Sequence, residues 1–526
     1  MNRTTTLLDD LLETSARTRP QHTALVCSGA RLSYADVEMK SNRLARGLQA
    51  LGVRRGDRVA VCLDNSIEHV VSLLAVWKAG AVAMLVNPTT KSDKLAHLLT
   101  DAEAASLIVS SFKLETVADV LGRAPHLRSL VVAGDAANSQ FAFTGPTARL
   151  DGLTGLMEDG DVTPPKKTHI DQDLAVLLYT SGSSGTPKGV MLTHQSLRAV
   201  TTSITSYLEL AGHDVVLQVL PLSFGYGLTQ LLTTFSVGAT LVLERSFAFP
   251  QVILQRLAAE RATTFAMVPT IASVFASTDL SMHDLSSLRR LTNAGAALPN
   301  ELAKRLREKL PNARLFPMYG QTECIRVTYL PPEEVEARPG SVGRGMPNQE
   351  VWLVDEEGRR LPPGSTGELV VRGTHLMRGY WKMPEATREK LRPGPFPGEL
   401  VLHTGDLFHM DADGWLTFIS RQDDIIKTRG EKVSPREVEN VLFSLAGVAE
   451  VAVIGVPDVL LGQSVKAFVA VREGSLLDNK ALQRHCAAHL EDFAIPKQIE
   501  LVGELPKTSN GKIDKQALLN SDGNTK

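Results

Sequence analysis

Cysteine is scarce: Cys27, Cys62, Cys324 and Cys486 are the four in 526 residues. None makes a C-x-x-C pair or a metal-ligand spacing, which removes a disulfide scaffold and a cysteine-built metal centre. Reduced, buried thiols of a cytoplasmic protein remain. Net charge is lacking too, with Lys+Arg 56 against Asp+Glu 58, so no bulk field calls for nucleic acid or an anionic membrane. Residues 1–20 place Asp9, Asp10 and Glu13 among their leucines without an apolar stretch, and no signal peptide is expected. Long apolar runs are missing except at 70–86, which has Lys78 at its middle and Gly80 just after. A buried helix, a turn and a buried strand fit that run better than a membrane span. There is no low-complexity segment and no short-period repeat.

What is present, 43% hydrophobic and 22% charged residues, is the balance of an ordinary globular protein, and the length calls for more than one domain. Ser33 with Asp36 three residues on reads as a capping box, followed by Val37, Leu44, Leu48 and Leu51 at helical spacing and a stop at Gly52. Strands at 58–63, 81–86 and 106–109 alternate with helices from about 67 and over 94–101. A second alternating set spans 215–268. Such βαβ units predict an α/β fold with helix-flanked, mostly parallel sheets. From about 351, short strands at 351–354, 367–372 and 415–419 punctuated by Gly and Pro predict a β-rich subdomain. After Arg421 comes a compact α+β pattern, with a helix near Ser434-Pro435, strands at 451–456 and 464–471, and a helix over 480–490. The polar tail beyond Leu518 is expected to fray.

The densest chemical signal is the apolar run 173–179 emptying into Thr180-Ser181-Gly182-Ser183-Ser184-Gly185-Thr186-Pro187-Lys188-Gly189. Glycines let backbone N–H groups converge on an anion, while the hydroxyls and Lys188 add donors and charge. The spacing is not a Walker A loop, because Pro187 stands where Gly-Lys-Ser would continue. A P-loop kinase or GTPase is therefore disfavoured, and the loop by itself says only "phosphate".

The run 179–189, continuing Val190-Met191-Leu192-Thr193-His194, resembles the signature loop of the adenylate-forming superfamily: acyl- and aryl-CoA synthetases, peptide-synthetase adenylation domains and beetle luciferases. Four further blocks match in order: Asn293-Ala294-Gly295-Ala296-Ala297, Met318-Tyr319-Gly320-Gln321-Thr322-Glu323, His403-Thr404-Gly405-Asp406 with Ser420-Arg421-Gln422-Asp423, and Pro506-Lys507-Thr508 through Gly511-Lys512. The resemblance implies an N-terminal domain over 1–420 that binds ATP and the acid, and a small mobile C-terminal domain over 421–526. It implies that residues 180–186 and Lys188 hold phosphate, that Gly295, Ala296 and Ala297 pack on adenine, and that Tyr319 stacks on it, with Met318, Gly320 and Gln321 alongside. Thr322 would contact the α-phosphate and Glu323 would hold Mg²⁺. Asp406 would accept from the ribose hydroxyls at the end of a strand, with Arg421 reaching the same ribose. Lys512 would bridge carboxylate and α-phosphate, making Lys512, Thr180, Thr322 and Glu323 the catalytic set. Asp423 would be the hinge, and Gly430, Glu431 and Lys432 the face presented for thiol attack. Lys507 and Lys515 would be surface charges. The usual glycine before the arginine is Ser420.

The acid pocket is where this sequence departs from the pattern. Pro221-Leu222-Ser223-Phe224-Gly225-Tyr226 aligns with its opening block. Relatives that activate amino acids usually carry Asp at the position of Gly225, and a buried ammonium without a counter-charge costs on the order of several kcal/mol. Gly225 argues for an aliphatic or aromatic acid lacking that cation. Many acyl-CoA synthetases carry His where Phe224 stands. Cys324 and Arg326 complete the expected pocket, with Arg326 either facing an oxygen-bearing acid or pairing at the surface. The implied enzyme is an AMP-forming acid–thiol ligase that uses ATP and Mg²⁺ and transfers the acyl group to CoA or to the phosphopantetheine of an acyl or peptidyl carrier protein. A homodimer is compatible with this reading. The alternatives are an acyl-AMP ligase loading only a carrier protein, which the lack of a long insertion between Glu323 and Arg421 disfavours, and an inactive nucleotide-binding relative, which the retention of Lys512, Glu323 and Asp406 disfavours.

Overall fold

The computed structural model describes residues 6–134, 149–181, 187–428, 431–458, 461–472, 474–508 and 511–523. Its first sheet has eight strands, in the order Gly379–Tyr380, Pro187–Thr193, Leu174–Ser181, Val82–Leu85, Arg58–Cys62, Ala104–Ser110, Ser129–Ala133 and Arg149–Gly152. Pairing is parallel from Leu174–Ser181 to the last strand and antiparallel through the two at the other edge. Val82–Leu85 is buried along its whole length, as a strand covered on both faces must be. The 70–86 run resolves as expected into helix Ile67–Lys78, a turn at Gly80 with φ +76°, and that strand. Lys78 is buried but paired with Glu38 at 2.7 Å and with Asn42 Oδ1 at 2.6 Å.

The capping box closes as read: Asp36 N–H donates to Ser33 Oγ at 3.1 Å and Ser33 N–H donates to Asp36 Oδ2 at 2.9 Å, starting helix Tyr34–Ala50. Such a cap stabilises a helix by about 1 kcal/mol.

The second sheet has fourteen strands. Its parallel part is built from Thr23–Cys27, Thr240–Leu243, Val215–Gln218, Thr264–Met267, Arg290–Asn293 and Arg314–Tyr319. The expected β-rich subdomain is the continuation of this sheet: Thr328–Tyr329, Ser341–Gly345, Leu416–Arg421, Leu400–Met410, Thr366–Gly373 and Gln349–Val354 join antiparallel beyond Arg314–Tyr319. A third, five-stranded sheet follows Arg421, with helices Pro435–Ser444 and Asn479–His489 against it. The tail does not fray at Leu518. A helix runs Lys515–Gly523, pinned by Leu518, which packs buried with Leu505 and Phe468. The third sheet meets the second where Ser434 Oγ donates to Ile419 O at 2.7 Å and Arg436 donates to the Phe418 and Gly340 carbonyls. All four cysteines are free and buried, and no described helix is long and apolar enough to cross a membrane.

Three buried histidines, His69, His194 and His375, are each held down to about 4 from 6.5, first of all by burial. The unfolded chain takes up those protons near 6.5 and the fold refuses them, so stability present above pH 6.5 is lost as pH falls toward about 4. The unfolding free energy from urea titrations should fall over that window, by about 1.4 kcal/mol per pH unit for each histidine titrating only in the unfolded chain. A flat profile would show that these rings are not buried neutral.

Candidate active site

In parallel sheets, ligands bind outside the carboxyl ends of the strands, and the motif residues cluster there. Leu174–Ser181 and Pro187–Thr193 form an antiparallel hairpin whose last pairs are Thr180 with Lys188 and Ser181 with Pro187. Gly182, Ser183, Ser184, Gly185 and Thr186 lie outside the described residues. Lys188 Nζ sits 5.3 Å over the Tyr380 ring, and Tyr380 donates its hydroxyl to Glu323 Oε1 at 2.6 Å. One aromatic residue thus links the phosphate loop's lysine to the expected metal carboxylate. Tyr380 escaped the sequence reading: it arrives through strand Gly379–Tyr380 pairing with Met191 and Val190, and no local spacing announces that pairing.

Strand Arg314–Tyr319 delivers the next block. Tyr319 donates to Asp406 Oδ2 at 2.6 Å, Gln321 Nε2 donates to the Tyr319 hydroxyl at 3.2 Å, and Phe408 meets the Tyr319 ring edge-on at 4.8 Å. Burial, then the Asp406 carboxylate, hold the Tyr319 phenol well above its ordinary range. Gly320 is required by crowding, since a Cβ there would lie 2.4 Å from the Ile325 carbonyl oxygen.

Asp406 does not end a strand. It lies inside Leu400–Met410, where the pairing with Thr366–Gly373 jumps from Val370–His403 to Glu368–Leu407. This bulge re-aims the carboxylate. Gly405 takes φ +73° within it, and Glu368 accepts from Gly405 N–H at 2.8 Å and approaches His403 Nδ1 at 3.1 Å. Burial raises the Asp406 pKa, while the Tyr319 hydroxyl and Arg421, whose Nε is 3.8 Å from Oδ1, oppose the rise.

Strand Arg290–Asn293 leads to Gly295, with Asn293 Nδ2 donating to Ala296 O at 3.3 Å. Gly295 holds φ +91°, and a Cβ there would stand 3.2 Å from Cε and 3.8 Å from Nζ of Lys512. Lys512 therefore reaches from the third sheet's body to the turn at Gly295. Its loop is fastened by Thr270 Oγ1 donating to Gly511 O at 3.1 Å and by Thr508 N–H donating to Lys512 O at 2.7 Å. Burial, then Arg421, lower the Lys512 pKa against the pull of Asp406. Lys507 and Lys515 are ion-paired rather than free surface charges, to Glu450 and Glu504 and to Glu439 respectively.

On the acid side, Phe224 precedes helix Gly225–Ser236, and a Cβ at Gly225 would stand 2.8 Å from Ile325 Cδ1. Tyr226 shares a 2.7 Å hydrogen bond with Thr292 Oγ1. Cys324 is fully buried and burial pushes its thiol up. Arg326 does not pair at the surface: it is 2% exposed with its guanidinium 5.0 Å over the Tyr226 ring. At the hinge and thiol-face positions, Asp423 lies in a short 3₁₀ turn, Gly430 is outside the described residues, and Glu431 and Lys432 lie on strand Glu431–Val433.

The structure therefore gathers the hairpin end at Thr180 and Lys188, the Tyr319–Asp406 pair, Glu323 and Lys512 at the strand ends of two sheets. Comparison with known proteins gives this arrangement its family. Residues 12–381 match the AMP-binding enzyme family and residues 437–512 its C-terminal domain. A feruloyl-CoA synthase of Amycolatopsis is 36% identical over 501 residues, covering 95% of each chain. A long-chain-fatty-acid–CoA ligase of Bacillus subtilis is 32% identical over 536 residues, covering 98% of this chain and 94% of that protein. The crystal structure of the anthranilate CoA ligase AuaEII with anthranoyl-AMP superposes with a TM-score of 0.88 at 30% identity, over 98% of this chain and 97% of that one. The chain belongs to the AMP-binding, adenylate-forming enzymes and is an ATP-dependent acid–thiol ligase of the acyl-CoA synthetase type.

Proposed function

We propose that this site activates a carboxylic acid other than an α-amino acid, with CoA as acceptor, and that the chain divides near residue 421 into a site-bearing body and a smaller body that delivers Lys512. The observation that carries the assignment is Lys512 lying against Gly295, where Asp406 and Arg421 both act on its charge. In the first half-reaction an acid oxygen attacks the α-phosphorus of ATP, the bond to the bridging oxygen breaks, and pyrophosphate leaves toward Thr180 and Lys188. Lys512 is a point charge suited to the anionic oxygens that converge there. Asp406 spends Oδ2 on Tyr319 and keeps acceptor capacity at Oδ1 for a ribose. Glu323 spends Oε1 on Tyr380, leaving its second oxygen for Mg²⁺, a hard cation that would neutralise phosphate charge. In the second half-reaction the thiol sulfur of CoA attacks the acyl carbon, AMP leaves, and the thiol proton passes to solvent. Asp423 lies between the last strand of the second sheet and the first of the third. A rotation there would withdraw Lys512 and bring up Glu431 and Lys432. The aromatic Phe224 and the small Gly225 support an acid without a cationic α-substituent.

Lys512→Ala should lower acid-dependent exchange of pyrophosphate into ATP by about 1000-fold while ATP binding is retained; near-normal exchange would remove Lys512 from the chemistry. Tyr380→Phe should raise the KM for MgATP about tenfold through its lost bond to Glu323, and an unaltered KM would show that Glu323 needs no such support. Asp423→Pro should damage thioester formation more than adenylation, and equal loss of both steps would count against the hinge.

A further inference from the structure

Arg326 is a buried cation without an anion. Lys78, Arg290 and Lys466, the other buried cations among the described residues, each face a carboxylate: Glu38 at 2.7 Å, Asp214 at 3.0 Å and Glu500 at 2.9 Å. Arg326 has none within ion-pair distance among the described residues, and its Nε, cut off from solvent, has no hydrogen-bond partner. The neighbouring groups are neutral and engaged elsewhere. Tyr226 shares its hydroxyl with Thr292, Tyr207 donates to Met318 Sδ, and the Cys324 thiol points at Gln321 O. Burial pushes the Tyr226 phenol up to about 12 and lifts the Cys324 thiol and the Tyr207 phenol well above their ordinary ranges, so none supplies a negative charge. The Tyr226 ring face repays only part of what desolvating a guanidinium costs.

The turn that aims this side chain is built under strain. Ile325, a β-branched residue, takes φ +64°. Tight backbone bonds hold the turn, from Ile325 N–H to Gln321 O at 2.6 Å and from Val327 N–H to Tyr319 O at 2.9 Å. Glu323 thereby meets Tyr380, while Arg326 meets Tyr226 at the start of helix Gly225–Ser236. In the proposed reaction Lys512 answers the charge of the reacting carboxylate, so Arg326, a buried cation apart from it, calls for an anion of its own.

We propose that Arg326 is a specificity-determining residue that binds a second carboxylate on the acid, remote from the one activated. This rests on reading the wall formed by Phe224, Gly225, Tyr226 and Cys324 as the acid pocket. A fork of guanidinium donors matches a carboxylate bidentately, and a pocket built to pair a charged group rejects the analogue that lacks it by a large factor.

The experiment measures acid-dependent pyrophosphate release by the full chain with matched pairs: hexanoate and adipate, octanoate and suberate, benzoate and isophthalate. At least one diacid should exceed its monoacid by roughly 100-fold in kcat/KM. Arg326→Met should collapse that ratio to within about threefold and raise the melting temperature of the free protein, because an uncompensated buried charge is replaced by an apolar chain of similar length. An arginine serving only the fold would do the reverse to the melting temperature. In the wild-type protein, with AMP present, the preferred diacid should raise the melting temperature and its monoacid should not, a readout independent of the variant. Turnover of monoacids alone leaves acid activation intact and overturns the Arg326 assignment. An equal loss on both members of a pair in Arg326→Met also overturns it, since the guanidinium would then serve the reacting carboxylate.

Discussion

Lys512, drawn partly out of solvent beside Arg421 with Asp406 opposing, is the constraint around which this site is arranged. Burial and Arg421 both work to strip the proton from Lys512, and Asp406 alone among the named neighbours favours keeping it. That balance disfavours the charged lysine, and the phosphates and carboxylate of the proposed reaction would restore it. In the proposed reaction, a separate body that withdraws the lysine once pyrophosphate has left would suit that balance. Gly295 follows from the same constraint, because the lysine stem passes where a Cβ would project, on a backbone that L side chains seldom adopt. The loop's hydrogen-bonded anchor to the body of the second sheet is correspondingly light: one hydroxyl, Thr270 Oγ1, on the Gly511 carbonyl at 3.1 Å.

The alternation of helices and strands was legible because its determinants are local: the Ser33–Asp36 box, the stop at Gly80 and the valine-rich runs acted as read. The order of strands was not. Nothing near Val351 tells that its strand belongs to the far end of a sheet whose parallel half lies before residue 320; that continuity passes through the two-residue strand Thr328–Tyr329. The bulge that places Asp406 was missed for a related reason. His403-Thr404-Gly405-Asp406 reads as a strand ending in a turn, and only pairing with Thr366–Gly373 reveals that the strand resumes. The tail was misjudged because polarity was weighed over a single buried leucine, Leu518, which is enough to fasten one short helix.

The candidate site divides along the same line. Residues grouped within one motif, such as Tyr319 through Glu323, could be named through the family resemblance because they stand in one uninterrupted block. Tyr380 and Glu368 could not, since each acts on the site through a strand pairing. Arg326 was named with two opposed readings. Burial removes the surface-pairing reading, since an arginine seeking surface partners would not be 2% exposed over an aromatic ring.

The turn 320–327 shows why the two halves of this chemistry are hard to vary independently. A Cβ at Gly320 would strike the Ile325 carbonyl, and Ile325 sits in a conformation costing on the order of 1–3 kcal/mol. Relaxing either would swing Glu323 away from Tyr380 on one side and Arg326 from Tyr226 on the other. In the proposed reaction the nucleotide wall and the acid wall share this one strained loop, which sets the spacing between them. Changes of acid preference are then expected to arise from side chains that leave its backbone alone. Phe224 and the Arg326 side chain are such positions, whereas Gly225 is not, since a Cβ there would press on Ile325 Cδ1 at 2.8 Å.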